Sequence, residues 1–192
     1  MSSETTSYTI APPGFTPEQR KEFDENGFIA VENALSPKEV DYYVKAINKN
    51  MANDPDADPS KHVSKTNIVE RDPALTHLID HPRHIGFVYD IFGEQLKLQL
   101  SQFMQRPRHS SHNMWHVDGA RALPYGVFSP ELPLQVKIGY WLTDFPEANM
   151  GNLVVLPGSH REQYRKEYYT HDSIPGEKVL IARKWYHDHH AQ

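Results

Sequence analysis

The apolar residues of this chain change their period near Gly93, from one that fits helices to one that fits strands, and this constrains the fold more than any single motif. Ahead of the change, Thr16-Pro17-Glu18-Gln19 supplies a capping residue, a proline at the first helical position and a glutamine placed to close a capping box. Gly27 ends that helix, and a short strand is predicted over 28–31. Ser36-Pro37-Lys38-Glu39 then repeats the start signal, and Val40, Tyr43, Val44, Ile47 and Met51 form the apolar stripe of a longer second helix. Residues 52–60, rich in Asp, Pro and Asn, read as a loop of the kind that borders substrate sites, and 61–69 are too polar to assign. Asp72-Pro73 opens a further helix through Leu75, Leu78 and Ile79, and 82–92 continue as another that Gly93 closes.

From Gln95 the period is two, with Leu96, Leu98 and Leu100 on one face and Lys97, Gln99 and Ser101 on the other. The leucine face predicts core. The opposite face looks either to solvent or into a polar cavity, and in the second case Gln99 and Ser101 become candidates for contacting a bound acid. Further strands are expected around 114–118, 134–142, 153–156 and 178–183. On the strand over 134–142, alternation puts at least one of Lys137, Tyr140 and Trp141 on the cavity side. Helices first and many short strands afterwards predict a mainly β fold with flanking helices, a helical flank on a two-sheet jelly roll. The expected organisation is one domain over 1–192, with 1–15 flexible, 16–93 the mostly helical flank and 94–192 the jelly-roll strands, the last of them incomplete.

Composition narrows the function classes. A chain of 192 residues is long enough for one domain with a real core. A net charge of -5, without a run of lysine and arginine, argues against a nucleic-acid surface. Zero cysteines exclude a disulfide framework, a thiolate metal site and a cysteine nucleophile within this sequence. No apolar run approaches the ~20 residues needed to span a bilayer, and the polar start lacks a secretory apolar region. The reading is a cytoplasmic protein acting on a small molecule, with neither nucleic acid nor membrane as partner.

The chemistry is carried by Trp115-His116-Val117-Asp118-Gly119. On a strand, side chains at i and i+2 emerge on the same face, so His116 and Asp118 can grip one metal ion together. With one remote histidine they make a 2-His-1-carboxylate triad, which leaves iron positions open for a cosubstrate and O2. Downstream, Asn149-Met150-Gly151-Asn152-Leu153-Val154-Val155-Leu156-Pro157-Gly158-Ser159-His160-Arg161 reads as turn, apolar strand and turn. Its proline and glycine suit a structural turn rather than catalysis.

Together, the His-x-Asp pair and the Gly-x-Leu-x-x-x-Pro-Gly-Ser-His segment resemble the phytanoyl-CoA dioxygenase family of Fe(II)- and 2-oxoglutarate-dependent oxygenases. The helix-strand-helix entry around Phe23 to Ser36 resembles the family too. The resemblance implies a double-stranded β-helix, or cupin-like jelly roll, with an α-helical amino-terminal part. It also implies Fe(II), 2-oxoglutarate and O2 as cofactor and cosubstrates, and hydroxylation of an unactivated carbon with release of succinate and CO2. Asp118 favours hydroxylation over halogenation, since related halogenating enzymes carry a small residue in place of the carboxylate. The resemblance places the distal iron ligand on a late strand, which excludes His160 and leaves His187, His189 and His190. Of these, His187 follows Trp185-Tyr186 in a family-like pattern and is the candidate.

The family's arginine, which pairs with the far carboxylate of 2-oxoglutarate, has no counterpart after these histidines, and Arg161 or Arg183 could replace it only by an unusual geometry. Two alternatives to an active hydroxylase therefore stay open. One is a truncated or degenerate family member without turnover; the other is a cupin-like metal- or ligand-binding module in which His187, His189 and His190 hold zinc or nickel.

Overall fold

The computed structural model describes residues 12–107, 129–145 and 152–161. The first stretch contains α1 (Pro17–Asn26), α2 (Pro37–Ala52), β1 (Val63–Thr66), α3 (Ile68–Arg71), α4 (Pro73–Thr76), α5 (Ile85–Phe92) and β2 (Gln102–Gln105). A 3-10 turn, Ser159–Arg161, lies in the last.

Both long helices start where their capping residues dictate. Thr16 Oγ1 accepts from the Gln19 amide at 3.2 Å, and Gln19 Oε1 accepts from the Thr16 amide at 3.0 Å. Ser36 and Glu39 repeat the reciprocal pair at 3.3 and 2.6 Å. Each box satisfies two amides near the helix start, where the first turn leaves donors without an intrahelical partner. At its other end α1 stops at Gly27, whose φ of 83° returns its amide to the Phe23 carbonyl at 2.8 Å. A residue with a side chain would meet a cost of about 1–2 kcal/mol in that left-handed conformation.

The core forms where α2 meets α4. Tyr43, Ala46 and Ile47 share one face of α2 by the i, i+3, i+4 rule and are buried with Leu75 of α4, which is 1% exposed. Leu35, Met51, Ile68, Ala74 and Leu78 pack around them, joined by Phe103 of β2 and Leu142. Asp72 pins this junction. Its Oδ1 accepts from the Ala74 amide at 2.9 Å and caps α4, while Oδ2 takes a 3.4 Å bond from Asn50 and lies 3.5 Å from Lys49 Nζ. The Ala74 bond is the main cause that holds this carboxyl below its usual range. Residues 12–15 lie against α5, where the Phe15 amide donates to Asp90 Oδ2 at 2.7 Å and its ring sits 4.8 Å from Phe87.

The strands depart from the sequence expectation. β1 and β2 pair antiparallel, Val63 opposite Gln105 and Thr66 opposite Gln102. β1 thus lies in the stretch that was too polar to assign, and β2 begins only after the alternating run has ended. Residues 95–101 form no strand, and Leu98 and Leu100 are 51% and 46% exposed instead of core. Alternation decides which side chains share a face, but a strand also needs a neighbour's backbone groups and a surface that buries that face. Next to β2, the Asn67 amide still bonds the Ser101 carbonyl at 2.8 Å, and no ladder among the described residues continues beyond that point. For the same reason 28–31, 134–142 and 153–156 carry no regular strand. The strands expected over 114–118 and 178–183 lie outside the described residues. The helical flank is therefore observed, whereas the described residues show a two-stranded sheet and no jelly roll.

Candidate functional site

His116, Asp118 and His187, together with Trp115, His189 and His190, lie outside the described residues. Among the described residues, no group of three or more His, Cys, Asp or Glu is arranged to hold a metal. The two residues suggested for contacting a bound acid already have protein partners. Ser101 sits at the junction of β1 and α3, its hydroxyl accepting from the Val69 amide at 3.4 Å. Gln99 Oε1 accepts from the side-chain amide of Gln135.

The Pro-Gly-Ser-His turn has a visible structural task. Gly158, at φ 78°, donates its amide to the Asn26 carbonyl at 2.9 Å. His160 Nε2 bonds the Asp24 carbonyl at 3.2 Å, and the Arg161 guanidinium donates to the same oxygen. The last carbonyls of a helix lack intrahelical donors and carry partial negative charge, so an arginine and an imidazole N–H suit them. Gly27 permits this approach, since a Cβ there would lie 2.4 Å from His160 Nδ1. The turn thus closes the carboxyl end of α1, consistent with the structural reading of this motif, and Arg161 is engaged there.

Residues 53–56 of the loop over 52–60 line an open polar cleft. Asn50, Asn53, Asp54, Asp56, Lys65 and Arg71 face it, and Asp54 lies between the two cations, 2.8 Å from Lys65 and 3.8 Å from Arg71. The bond from Lys65 is the first cause holding the Asp54 carboxyl below its ordinary value.

Of the three candidates on the 134–142 stretch, Tyr140 points inward, to His84, while Trp141 is 52% exposed and Lys137 is exposed. The histidines that receive this tyrosine had escaped the sequence reading. Their signal was His81-Pro82-Arg83-His84, two imidazoles three residues apart just ahead of the apolar helix α5.

Capped helices, a His-x-Asp pair in the sequence and a Pro-Gly-Ser-His turn folded back on the first helix stand in the order that a family match spans. The chain belongs to the phytanoyl-CoA dioxygenase (PhyH) family, whose profile matches residues 23–191 and so takes in His116, Asp118 and His187. Ectoine dioxygenase of Nocardia farcinica (strain IFM 10152) is 28% identical to it over 161 residues, covering 75% of this chain and 51% of the relative. The chain thus spans about half the length of that relative. No solved structure matches it. No helix among the described residues is long and apolar enough to cross a membrane.

Proposed function

We propose that the chain is an Fe(II)- and 2-oxoglutarate-dependent dioxygenase that hydroxylates an unactivated carbon of a small organic substrate. The family match over 23–191 carries this reading, because it embraces a histidine-carboxylate pair and a late histidine in the order the family uses. Two imidazoles and one carboxylate are the donor set that suits ferrous iron while leaving sites open. In this reading His116, Asp118 and His187 hold the metal, and Gln99 and Ser101 contact the cosubstrate after exchanging their present protein partners. The bound iron would couple oxidative decarboxylation of 2-oxoglutarate to hydroxylation, releasing succinate and CO2. The docked Pro-Gly-Ser-His turn fixes one end of the following chain to α1. The relative's name makes ectoine the first compound to screen as substrate.

The test is an anaerobic titration of metal-free protein with Fe(II) and 2-oxoglutarate. A weak visible charge-transfer band should appear with one equivalent of iron, and succinate should be released once O2 and a substrate are supplied. His116→Ala and Asp118→Ala should each abolish the band and stoichiometric iron binding, while His187→Ala should weaken both. Stoichiometric iron retained in either of the first two variants would overturn the ligand assignment.

A further inference from the structure

His81 and His84 are buried, 6% and 8% exposed, in the turn that leads into α5. The partners of His81 determine its proton arrangement. The Arg83 amide donates to Nδ1 at 3.3 Å, so Nε2 carries the hydrogen and donates to Glu39 Oε1 at 3.3 Å. For His84, the Ile79 carbonyl can only accept. Nε2–H therefore donates to it at 3.2 Å, and Nδ1 accepts from the Tyr140 hydroxyl at 2.6 Å. Both rings are fully satisfied in the neutral state. Their lone pairs are already taken, which leaves neither free for a metal. The rings stack at 13° with centroids 6.4 Å apart, and Tyr140 stands edge-on to both at 5.8 Å.

We propose that His84 and Tyr140 form a pH-sensitive latch, which holds residues 134–142 against the helical flank while His84 is neutral and lets them go when it takes up a proton. A proton on Nδ1 would face the phenol hydrogen. The phenol would have to turn and accept, and its own hydrogen would lose its partner in a site with little water. Among the described residues, few groups near the ring could offset the new charge. Glu39 of α2 is engaged with His81 and Ser36, and Tyr43 and Tyr140 are neutral phenols that burial keeps from ionising. Among the charged groups of the described residues, Asp80 favours the proton directly. Burial outweighs it and pushes His84 below the ordinary histidine value. A histidine whose folded value is lowered favours the folded contact above its unfolded value of 6.5, and that contribution is lost as pH falls through the lowered value. The segment released carries Leu142, which packs on the core, and the exposed Trp141.

Ring-labelled histidine and tyrosine NMR on the whole chain from pH 8 to 5 tests the latch, with His84→Asn and Tyr140→Phe assigning the signals. His84 should remain an Nε2–H tautomer at pH 6.5 and titrate below it. Its through-space contact with Tyr140 should vanish with the same midpoint, while the amide signals of α2 shift where Leu142 leaves but remain those of a folded helix. Tyr140→Phe should move the His84 midpoint back toward 6.5. A midpoint at or above 6.5, a Tyr140 contact that survives protonation, or loss of the α2 signals at the same pH would each overturn the proposal. The wild-type titration decides the matter even if either variant fails to fold, and it involves no iron, so it is independent of the oxygenase reading.

Discussion

The stretch from α1 to α5 and the stretches 129–145 and 152–161 are held in place by different kinds of contact. The first closes its helix ends locally and adds a few longer ties, such as Asn50 to Asp72 and His81 to Glu39. Capping partners lie three residues apart, helix bonds four, and the core joins α2 to α4. The later stretches carry almost no regular structure and are fastened to that flank at separate points: Tyr140 on His84, Leu142 in the core, Gly158 on Asn26, and His160 with Arg161 on Asp24. Among the described residues the helical flank is a platform to which 129–145 and the Pro-Gly-Ser-His turn are fastened.

The comparison breaks most readily at the core. Leu75→Ala should cost about 3 kcal/mol, because the cavity it leaves between α2 and α4 cannot collapse fully. Leu98→Ala, at a half-exposed position in the alternating run, should stay within about 0.5 kcal/mol. Urea unfolding of the two variants measures both, and equal losses would mean that 95–101 are packed as tightly as the flank. The fastening of the second region to the first is tested at Gly27. Gly27→Ala should cost about 2 kcal/mol from its left-handed backbone and should push against His160. Adding His160→Ala should recover part of that loss, and strict additivity in the double mutant would show that the ring does not press on Gly27.

The smallest effects sharpen the local half of the comparison. Ser36→Ala should cost about 1 kcal/mol, read as a lower urea midpoint, since it removes one arm of the α2 box. Glu39 supplies the other arm, and its bonds with Ser36, then with His81, hold its carboxyl at about 2 against an ordinary 4.5. For a carboxyl lowered in the folded state, the contribution is complete above 4.5 and is lost as pH falls through about 2. Helical circular dichroism should therefore hold steady down to about pH 4.5 and decline below it, and Glu39→Gln, which keeps an accepting oxygen, should lessen that decline.

How legible each part was follows from the reach of its contacts. Thr16 with Gln19, Ser36 with Glu39, Gly27 and Gly93 mark helix ends through bonds that span three or four residues, and the structure places those ends where the sequence does. The face of α2 was legible for Tyr43 and Ile47, although Ala46 also proved to be core. The strands were not. Leu96, Leu98 and Leu100 alternate as well as any strand, yet β2 starts at Gln102, where β1 supplies a partner. In the candidate site the structural nature of Pro157-Gly158-Ser159-His160 could be anticipated from turn chemistry, but its seat on α1 could not. The iron ligands remain readings of the sequence and of its family.

The sequence alone settled the starts of α1, α2 and α4, the ends of α1 and α5 at glycine, the apolar face of the long helix and the family to which the chain belongs, because these depend on residue types at fixed short spacings. It did not show α3, and it ran α4 past Thr76 to Ile79 and began α5 at 82 instead of Ile85. Tertiary structure alone decided that His84 meets Tyr140, 56 residues away, that His160 meets Asp24, 136 residues away, and that a polar stretch rather than an alternating one pairs with β2. Those contacts depend on where the chain returns, and the order needed for a return is paid in loop entropy that no local pattern records.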